Sequence, residues 1–271
     1  MPPLDLDAAL ARVASRRGVL GERLVYLVET PSTNDAAATL AARGAAEGTV
    51  VLAEAQTQGR GRLGRTWHSP AGAGLYLSVV FRPAAGGPGG GAAADVARLM
   101  TLMAGVAVAD GIRRVTGLPV DIKWPNDLVV GRPPRKLAGL LAEASTVSGR
   151  IEFVILGIGL NLVPAAYPPD IADRATSLES ELGRGVDAVA VLAETLAALG
   201  EGYADLKQGR AREMLDRWRA LAPFAQGSAV EWESPRGLVR GTTEGIDEEG
   251  ALVVRVGNRR ERVIAGEVHW H

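Results

Sequence analysis

The chain has 271 residues with 30 Lys+Arg against 31 Asp+Glu, long enough for one large domain and a small one; its net charge near zero gives no global electrostatic reason to bind nucleic acid or a membrane. It contains no cysteine, which excludes disulfides, cysteine-metal sites and thiol catalysis, and its histidines, His68, His269 and His271, lack metal-ligand spacing. No apolar stretch reaches transmembrane length and no charged-then-apolar leader opens the chain, so a soluble cytoplasmic protein is expected.

About two dozen residues precede the first strand-like run, Leu24 to Val28. Ser32-Thr33-Asn34-Asp35 then starts a helix that Gly44 ends, with Ser32 and Asp35 spaced as a capping box. That leaves Thr33 and Asn34 to offer a hydroxyl and an amide to a small polar ligand. An apolar strand, Thr49 to Ala53, leads into Gly59-Arg-Gly-Arg-Leu-Gly-Arg-Thr-Trp67, which interleaves three glycines with three arginines and closes on an indole. Glycine brings bare N–H groups close to an oxyanion, and each guanidinium grips two oxygens at once. The loop therefore reads as an anion-handling element, with Trp67 able to cover a ligand.

After a strand from Gly74 to Arg82, Ala84 to Gly91 reads as a flexible loop. Apolar residues at helical spacing from Asp95 to Val115 predict a core helix ended by Gly117. A short run from Val120 reaches Lys123-Trp124-Pro125-Asn126-Asp127, where Pro125 removes a ladder donor and turns the chain out of the strand. Arg132-Pro-Pro-Arg135 makes a turn, and Lys136 to Glu143 returns as an apolar strand. Lys123, Lys136 and Lys207 are the only lysines among the 30 basic residues. Compact, movable ammonium groups are thus kept at two neighbouring places, which suits contact with a reacting carboxylate or phosphoryl group.

Ile151 to Leu162 reads as a buried strand in which Gly157 and Gly159 share one face. The missing side chains leave either a slot for a flat ligand or room for a bulge or close packing. Pro164 to Gly185 is expected to be a long loop near the site, followed by helices over Val186 to Leu206 and Arg210 to Leu221. Beyond Pro223, four short runs, Ala229 to Glu233, Gly237 to Thr243, Ala251 to Val256 and Arg260 to Ile264, predict a small β-barrel. No period repeats.

Taken in order, Ser-Thr-Asn, Gln56 through the arginine loop to Trp67, Lys-Trp-Pro-Asn-Asp, Lys136-Leu-Ala-Gly and Gly157-Ile-Gly-Leu-Asn161 resemble the motifs of the biotin protein ligases. The resemblance runs from about Val25 to Asn161, with a further likeness in the tail. It implies an α+β fold: a mixed, largely antiparallel sheet flanked by helices, of the class II synthetase-like biotin/lipoate ligase type, over residues 1–222. A small C-terminal SH3-like β-barrel is implied over 223–271. It also implies that biotin and ATP are joined as biotinyl-5′-AMP and that biotin then passes to a lysine of a biotin carboxyl carrier protein domain. Some of these ligases carry an N-terminal DNA-binding module. The stretch before Leu24 is too short for one, so no nucleic acid partner is expected; with no apolar stretch of spanning length no membrane is expected either, and monomer and homodimer both stay open.

The resemblance implies roles residue by residue. Ser32, Thr33, Asn34 and Gln56 surround the biotin ureido group, with Gly59, Gly139, Gly157, Gly159, Arg60, Arg62 and Lys136 completing the pocket. Trp67 lies against the valeryl chain or the adenylate. ATP is held by Arg60, Arg62, Arg65, Trp67, Lys123, Asn126, Asp127, Lys136 and Asn161. Lys136, Arg60, Lys123 and Asp127 are the catalytic set, and Mg2+ on the phosphates is met by Asp127 or Asn126. The biotin carboxylate is already ionised at neutral pH, so activation rests on positioning and charge neutralisation. The acceptor lysine must lose a proton, and Asp127 is the carboxylate placed to take it; base and metal ligand both stay open for Asp127. A lipoate protein ligase and a non-enzymatic biotin or nucleotide sensor are the alternatives.

Overall fold

A computed structural model describes residues 5–83, 91–165, 167–234, 237–264 and 266–270. Most of the Ala84–Gly91 segment and part of the turn at 234–237 lie outside the described residues.

Two short helices, α1 (Leu6–Arg12) and α2 (Ala14–Arg17), precede β1 (Leu24–Thr30). Then follow α3 (Thr33–Ala42), β2 (Val50–Gln56), β3 (Gly74–Phe81), α4 (Gly91–Thr116), β4 (Asp121–Lys123), β5 (Asp127–Val130), β6 (Arg135–Val147) and β7 (Arg150–Asn161). The helices α5 (Leu178–Leu182), α6 (Ala188–Lys207) and α7 (Ala211–Leu221) complete the first part. The remainder is β8 (Gln226–Ser234), β9 (Gly237–Ile246), β10 (Leu252–Val256), β11 (Arg259–Val263) and β12 (Val268–Trp270).

The first seven strands form one sheet in the order β1-β2-β3-β7-β6-β5-β4. Its β1 and β2 are parallel, joined through α3, and the other neighbours are antiparallel. The period-two alternation of β2, β3 and β7 separates two apolar sets. Val50, Leu52, Leu77, Val79, Leu156 and Ile158 belong to the main core together with α4 and α6. The opposite set, Val51, Val80, Phe153 and Ile155, packs with Ala37 and Ala41 of α3. A Cβ on Gly111 of α4 would lie 2.9 Å from the Thr195 backbone of α6, so only glycine lets these helices close this far. Cutting one fully buried leucine of this layer, Leu128 or Leu196, to alanine costs roughly 2–5 kcal/mol.

The second sheet is antiparallel, β11-β10-β9-β8-β12. Its fifth strand, β12, was not visible in the sequence pattern, and neither were α1 and α2. The Pro164–Gly185 stretch, expected to be loop, contains a 3-10 turn at Ala172–Arg174 and the helix α5, capped by Ser177 accepting from Ser180 N. The edge strand β4 is packed beside the Pro223–Ala225 turn, with the Arg132 guanidinium 4.7 Å over the Phe224 ring.

Candidate active site

Register across the first sheet explains why residues far apart in sequence meet. Lys123 pairs with Asp127, Asp127 with Gly139, Gly139 with Gly159, and Gly159 with Tyr76. One row further, Leu141, Gly157 and Ser78 are paired side by side. Paired residues project to the same face, so cations stand at one end of this face and glycines in its middle. A bulge between Leu128 and Val129 shifts Lys136 opposite Val129.

The shared face of Gly157 and Gly159 is as expected, but protein side chains fill the space above it. A Cβ on Gly157 would lie 2.2 Å from Asn34 Oδ1, and one on Gly159 would lie 2.4 Å from Trp67 Nε1. A Cβ on Gly139 would also meet the Trp67 ring, at 3.0 Å. The flat group in the slot is thus the Trp67 indole, whose buried N–H has no hydrogen-bond partner among the described residues. Such an orphan costs roughly 1–3 kcal/mol, and an acceptor brought by a ligand would recover it.

Beside the slot lies a polar floor. Thr33, Asn34 and Ser78 are almost fully buried. The Thr33 N–H donates to Gln56 Oε1 at 2.8 Å, and Gln56 Nε2 donates to Ser69 Oγ at 2.9 Å. Ser78 Oγ lies 2.8 Å from Thr33 Oγ1 and 2.6 Å from Asn34 Oδ1. Asn34 Nδ2 donates to Glu143 at 2.7 Å. Ser32 stands at the N-cap of α3 without a side-chain capping bond, and Asp35 pairs with Arg60 at 2.8 Å, so the expected capping box is not formed. Gly44 ends this helix at φ 87°, as expected.

The arginine loop is a small hairpin of its own, with Gly61 N–H donating to Arg65 O at 2.7 Å and Trp67 N–H to Gly59 O at 2.8 Å. Gly59 is required at its base, since a Cβ would lie 2.5 Å from Trp67 O. Leu63 at the tip holds φ 55° and is exposed, a strained conformation for a branched side chain. Each arginine has its own acceptor: Arg60 meets Asp35 and Glu143, Arg62 meets Asn126 Oδ1 and Gly266 O at 3.4 Å each, and Arg65 meets Glu267.

At the cationic end Lys136 Nζ lies 2.7 Å from Asp127 and 5.2 Å over the Trp67 ring. Burial holds the Lys123 ammonium below the ordinary lysine value; it sits 5.7 Å over the Trp270 ring of β12. Asn126 is tied to Leu140 O at 2.8 Å. Asn161 is buried and donates to Thr176 O at 2.9 Å, while Thr176 N–H donates to Lys136 O. It thereby secures the turn that carries Arg174, a guanidinium that shares the electrostatic field of Lys123. Gly139 contributes backbone only.

Two cavities flank Arg62 and Leu141. One, of about 570 Å³, runs along the arginine loop to Asp35 and Glu143. The other, of about 240 Å³, lies between Arg98, Trp124, Leu140 and Gly250 at the junction of the two sheets. Asn34 and Trp67 thus meet Gly139, Gly157 and Gly159 on one face of the first sheet, with Thr33 bonded to Ser78 of that face and Lys123, Asp127 and Lys136 at its end; Lys207 is elsewhere, paired with Glu47. Ser78, Ser69, Glu143, Arg174, Glu267 and Trp270 had not been singled out. Ser78 sits in an apolar run and Glu143 ends one, and only strand register shows what they face.

The chain matches the biotin/lipoate A/B protein ligase family over residues 26–161 and the biotin protein ligase C-terminal domain over 227–269. It is 34% identical to the biotin–[acetyl-CoA-carboxylase] ligase of Mycobacterium tuberculosis, over 98% of this chain and 96% of that one. It is 31% identical to the bifunctional ligase/repressor BirA of Bacillus subtilis, over 98% of this chain and 79% of the relative. The biotin protein ligase of Aquifex aeolicus, solved in complex with biotin and ATP, superposes with a TM-score of 0.76 at 28% identity, covering 92% of this chain and 99% of that one. With both segments matched in order and full-length relatives above 30% identity, the chain belongs to the biotin protein ligase family.

Proposed function

We infer that this protein activates biotin with ATP to biotinyl-5′-AMP, releasing pyrophosphate, and transfers biotin to a lysine of a biotin carboxyl carrier protein domain. One observation carries the reading beyond family membership: a buried polar floor and a rim of cations lie side by side on one sheet face, separated by two glycine positions and an indole. The floor suits the ureido group, which presents both donors and an acceptor. The rim suits the carboxylate and the triphosphate. We assign residues 1–222 to the biotin- and ATP-binding domain and 223–271 to the C-terminal domain.

Attack of the biotin carboxylate oxygen on the α-phosphorus forms the mixed anhydride and expels pyrophosphate. Both reactants are anions, so positioning and charge neutralisation are the main requirements. Lys136 stands at the slot and serves the oxygens shared by carboxylate and α-phosphate, while Lys123, Arg60, Arg62 and Arg65 serve the phosphates. Ser32, Thr33, Asn34, Gln56 and the Gly59 backbone hold biotin; Asn161 acts on the nucleotide side through the turn it secures. In the second step the acceptor amine attacks the anhydride carbonyl and AMP leaves. Asp127, 2.7 Å from Lys136, takes the proton.

Mg2+ would arrive on the phosphates. Asn126 Oδ1 and Asp127 are the oxygen donors it would meet, and no cluster of three acidic or histidine side chains exists among the described residues, so phosphate and water would supply its other ligands. No helix among the described residues is long and apolar enough to cross a membrane. We expect no nucleic acid partner and a monomer or a homodimer. Incubation of a carrier domain with the protein, ATP, magnesium and biotin, followed by mass spectrometry, should show a gain of one biotinyl group on one lysine. Pyrophosphate exchange that depends on lipoate and not on biotin would overturn the reading in favour of a lipoate ligase.

A further inference from the structure

The buried floor has a definite hydrogen count, set from its two ends. At one end, Gln56 Oε1 faces the Thr33 backbone N–H, which can only donate, so the amide oxygen must point there. At the other end, Asn34 Nδ2 faces the Glu143 carboxylate at 2.7 Å and Leu141 O at 3.4 Å. Both of these groups can only accept, so Asn34 Oδ1 must point the other way, at Ser78 Oγ. Between these ends lie three oxygen–oxygen contacts: Gln56 Oε1 to Thr33 Oγ1 at 3.0 Å, Thr33 Oγ1 to Ser78 Oγ at 2.8 Å, and Ser78 Oγ to Asn34 Oδ1 at 2.6 Å.

Those three contacts share two hydroxyl hydrogens, one on Thr33 and one on Ser78. Wherever the hydroxyls rotate, one contact has no hydrogen in it. The floor is therefore one donor short, and in a buried setting that deficit is costly. A ligand N–H reaching Thr33 Oγ1 or Gln56 Oε1 relieves it; a ligand oxygen at the same point makes it worse.

We propose that Glu143 is a specificity-determining positioning residue, which locks the Asn34 amide and so keeps the floor one hydrogen short and selective for a ligand with N–H donors. The inference rests on the reading of the site as a biotin site. Glu143 acts through Asn34 and Ser78. Its second partner, Arg60 at 2.8 Å, lies on the cavity side and is not part of the hydrogen count.

Two substitutions change the count without removing the fold's apolar contacts. Glu143→Gln lets the Asn34 amide turn over and supply a hydrogen to Ser78. Ser78→Ala removes two of the three contacts, leaving the Thr33 hydroxyl enough hydrogen for the last and leaving Arg60 untouched. Calorimetric titration of the ATP-free protein compares biotin with the cyclic carbamate analogues, in which oxygen replaces one or other ureido N–H at nearly constant shape. The wild type should bind at least one carbamate tenfold or more weakly than biotin. Both variants should shrink that ratio threefold or more, while their melting temperatures stay close to wild type. An unchanged ratio in both variants, or a change in Glu143→Gln alone, would overturn the proposal, the latter because it would place the action of Glu143 on Arg60. A wild type that bound neither biotin nor the carbamates would overturn the reading of the site and this inference together.

Discussion

Lys136 shows what one side chain can do on this scaffold. It is half-buried at the start of β6, its ammonium held between the Asp127 carboxylate and the Trp67 ring, and the bulge in β5–β6 aims it there. Lys136→Ala should lower the rate of biotin-dependent pyrophosphate exchange by two orders of magnitude or more, since one oriented transition-state charge contributes roughly 3 kcal/mol. The melting temperature should move little, because a partly exposed ion pair contributes about 0–1 kcal/mol to stability. Exchange near the wild-type rate would remove Lys136 from the chemistry. Lys123 makes a second, pH-dependent case. Burial favours its neutral form, so its charge is lost as pH rises through a value below that of an ordinary lysine. KM for ATP should therefore climb on the alkaline side before free lysine titrates, and Lys123→Arg, which keeps its charge throughout, should flatten the climb. An identical profile in both proteins would show that another group titrates. Residues of this kind were legible in the sequence because lysine is scarce in it. Ser78 and Glu143 were not, because the Asn34 amide they face lies 44 and 109 positions away along the chain, and neither was Arg174, whose neighbour Lys123 is on a separate strand.

Among the elements, the arginine loop was legible as an anion-handling segment, but its supports were not. Each of its guanidinium groups has an acceptor, two of them in the stretch that leads into β12. A lid role stays open to the loop, because the ion pairs of Arg60 and Arg65 are solvent-exposed and exchangeable while the hydrogen bonds of Arg62 are long and part-buried. Arg62 is its most buried cation; desolvation lowers its pKa yet leaves it charged. Arg62→Gly would cut both tethers, to Asn126 and to the Gly266 carbonyl, and add backbone freedom beside Gly61 and Gly64. The variant should still form biotinyl-5′-AMP but release it faster, labelling bystander lysines in a mixed-protein assay. Retention of the intermediate for as long as in the wild type, with labelling confined to the carrier lysine, would sink the lid role. The elements that escaped the sequence reading were those with weak periodicity: α1 and α2 are 7 and 4 residues long, and β12 has three. Patterns need about two turns or four alternations to register.

At the scale of the whole molecule, the two sheets were both legible from hydrophobic period, and their coupling was not, since nothing in an alternating pattern says which loop it will touch. The coupling is specific. Trp124 Nε1 donates to Gly250 O at 3.1 Å, Arg98 pairs with Glu249 at 3.0 Å, Arg65 pairs with Glu267, and the Lys123 ammonium lies over Trp270. The last two place β12 and the residue before it against the cations assigned above to the phosphates, while the polar floor at Thr33, Asn34 and Ser78 draws on α3 and the first sheet alone. Binding of the two substrates should therefore separate. The double variant Glu267→Gln, Trp270→Ala removes an exposed ion pair and a cation–π contact, the latter contributing about 0.5–2 kcal/mol, and leaves the core of the second sheet around Leu252 and Val254 intact. It should raise KM for ATP several-fold and leave the dissociation constant of biotin, measured without ATP, within twofold of wild type. If biotin affinity fell in parallel with ATP affinity, the second sheet would be supporting the whole site and not its phosphate side, and the division of labour between the sheets would have to be abandoned.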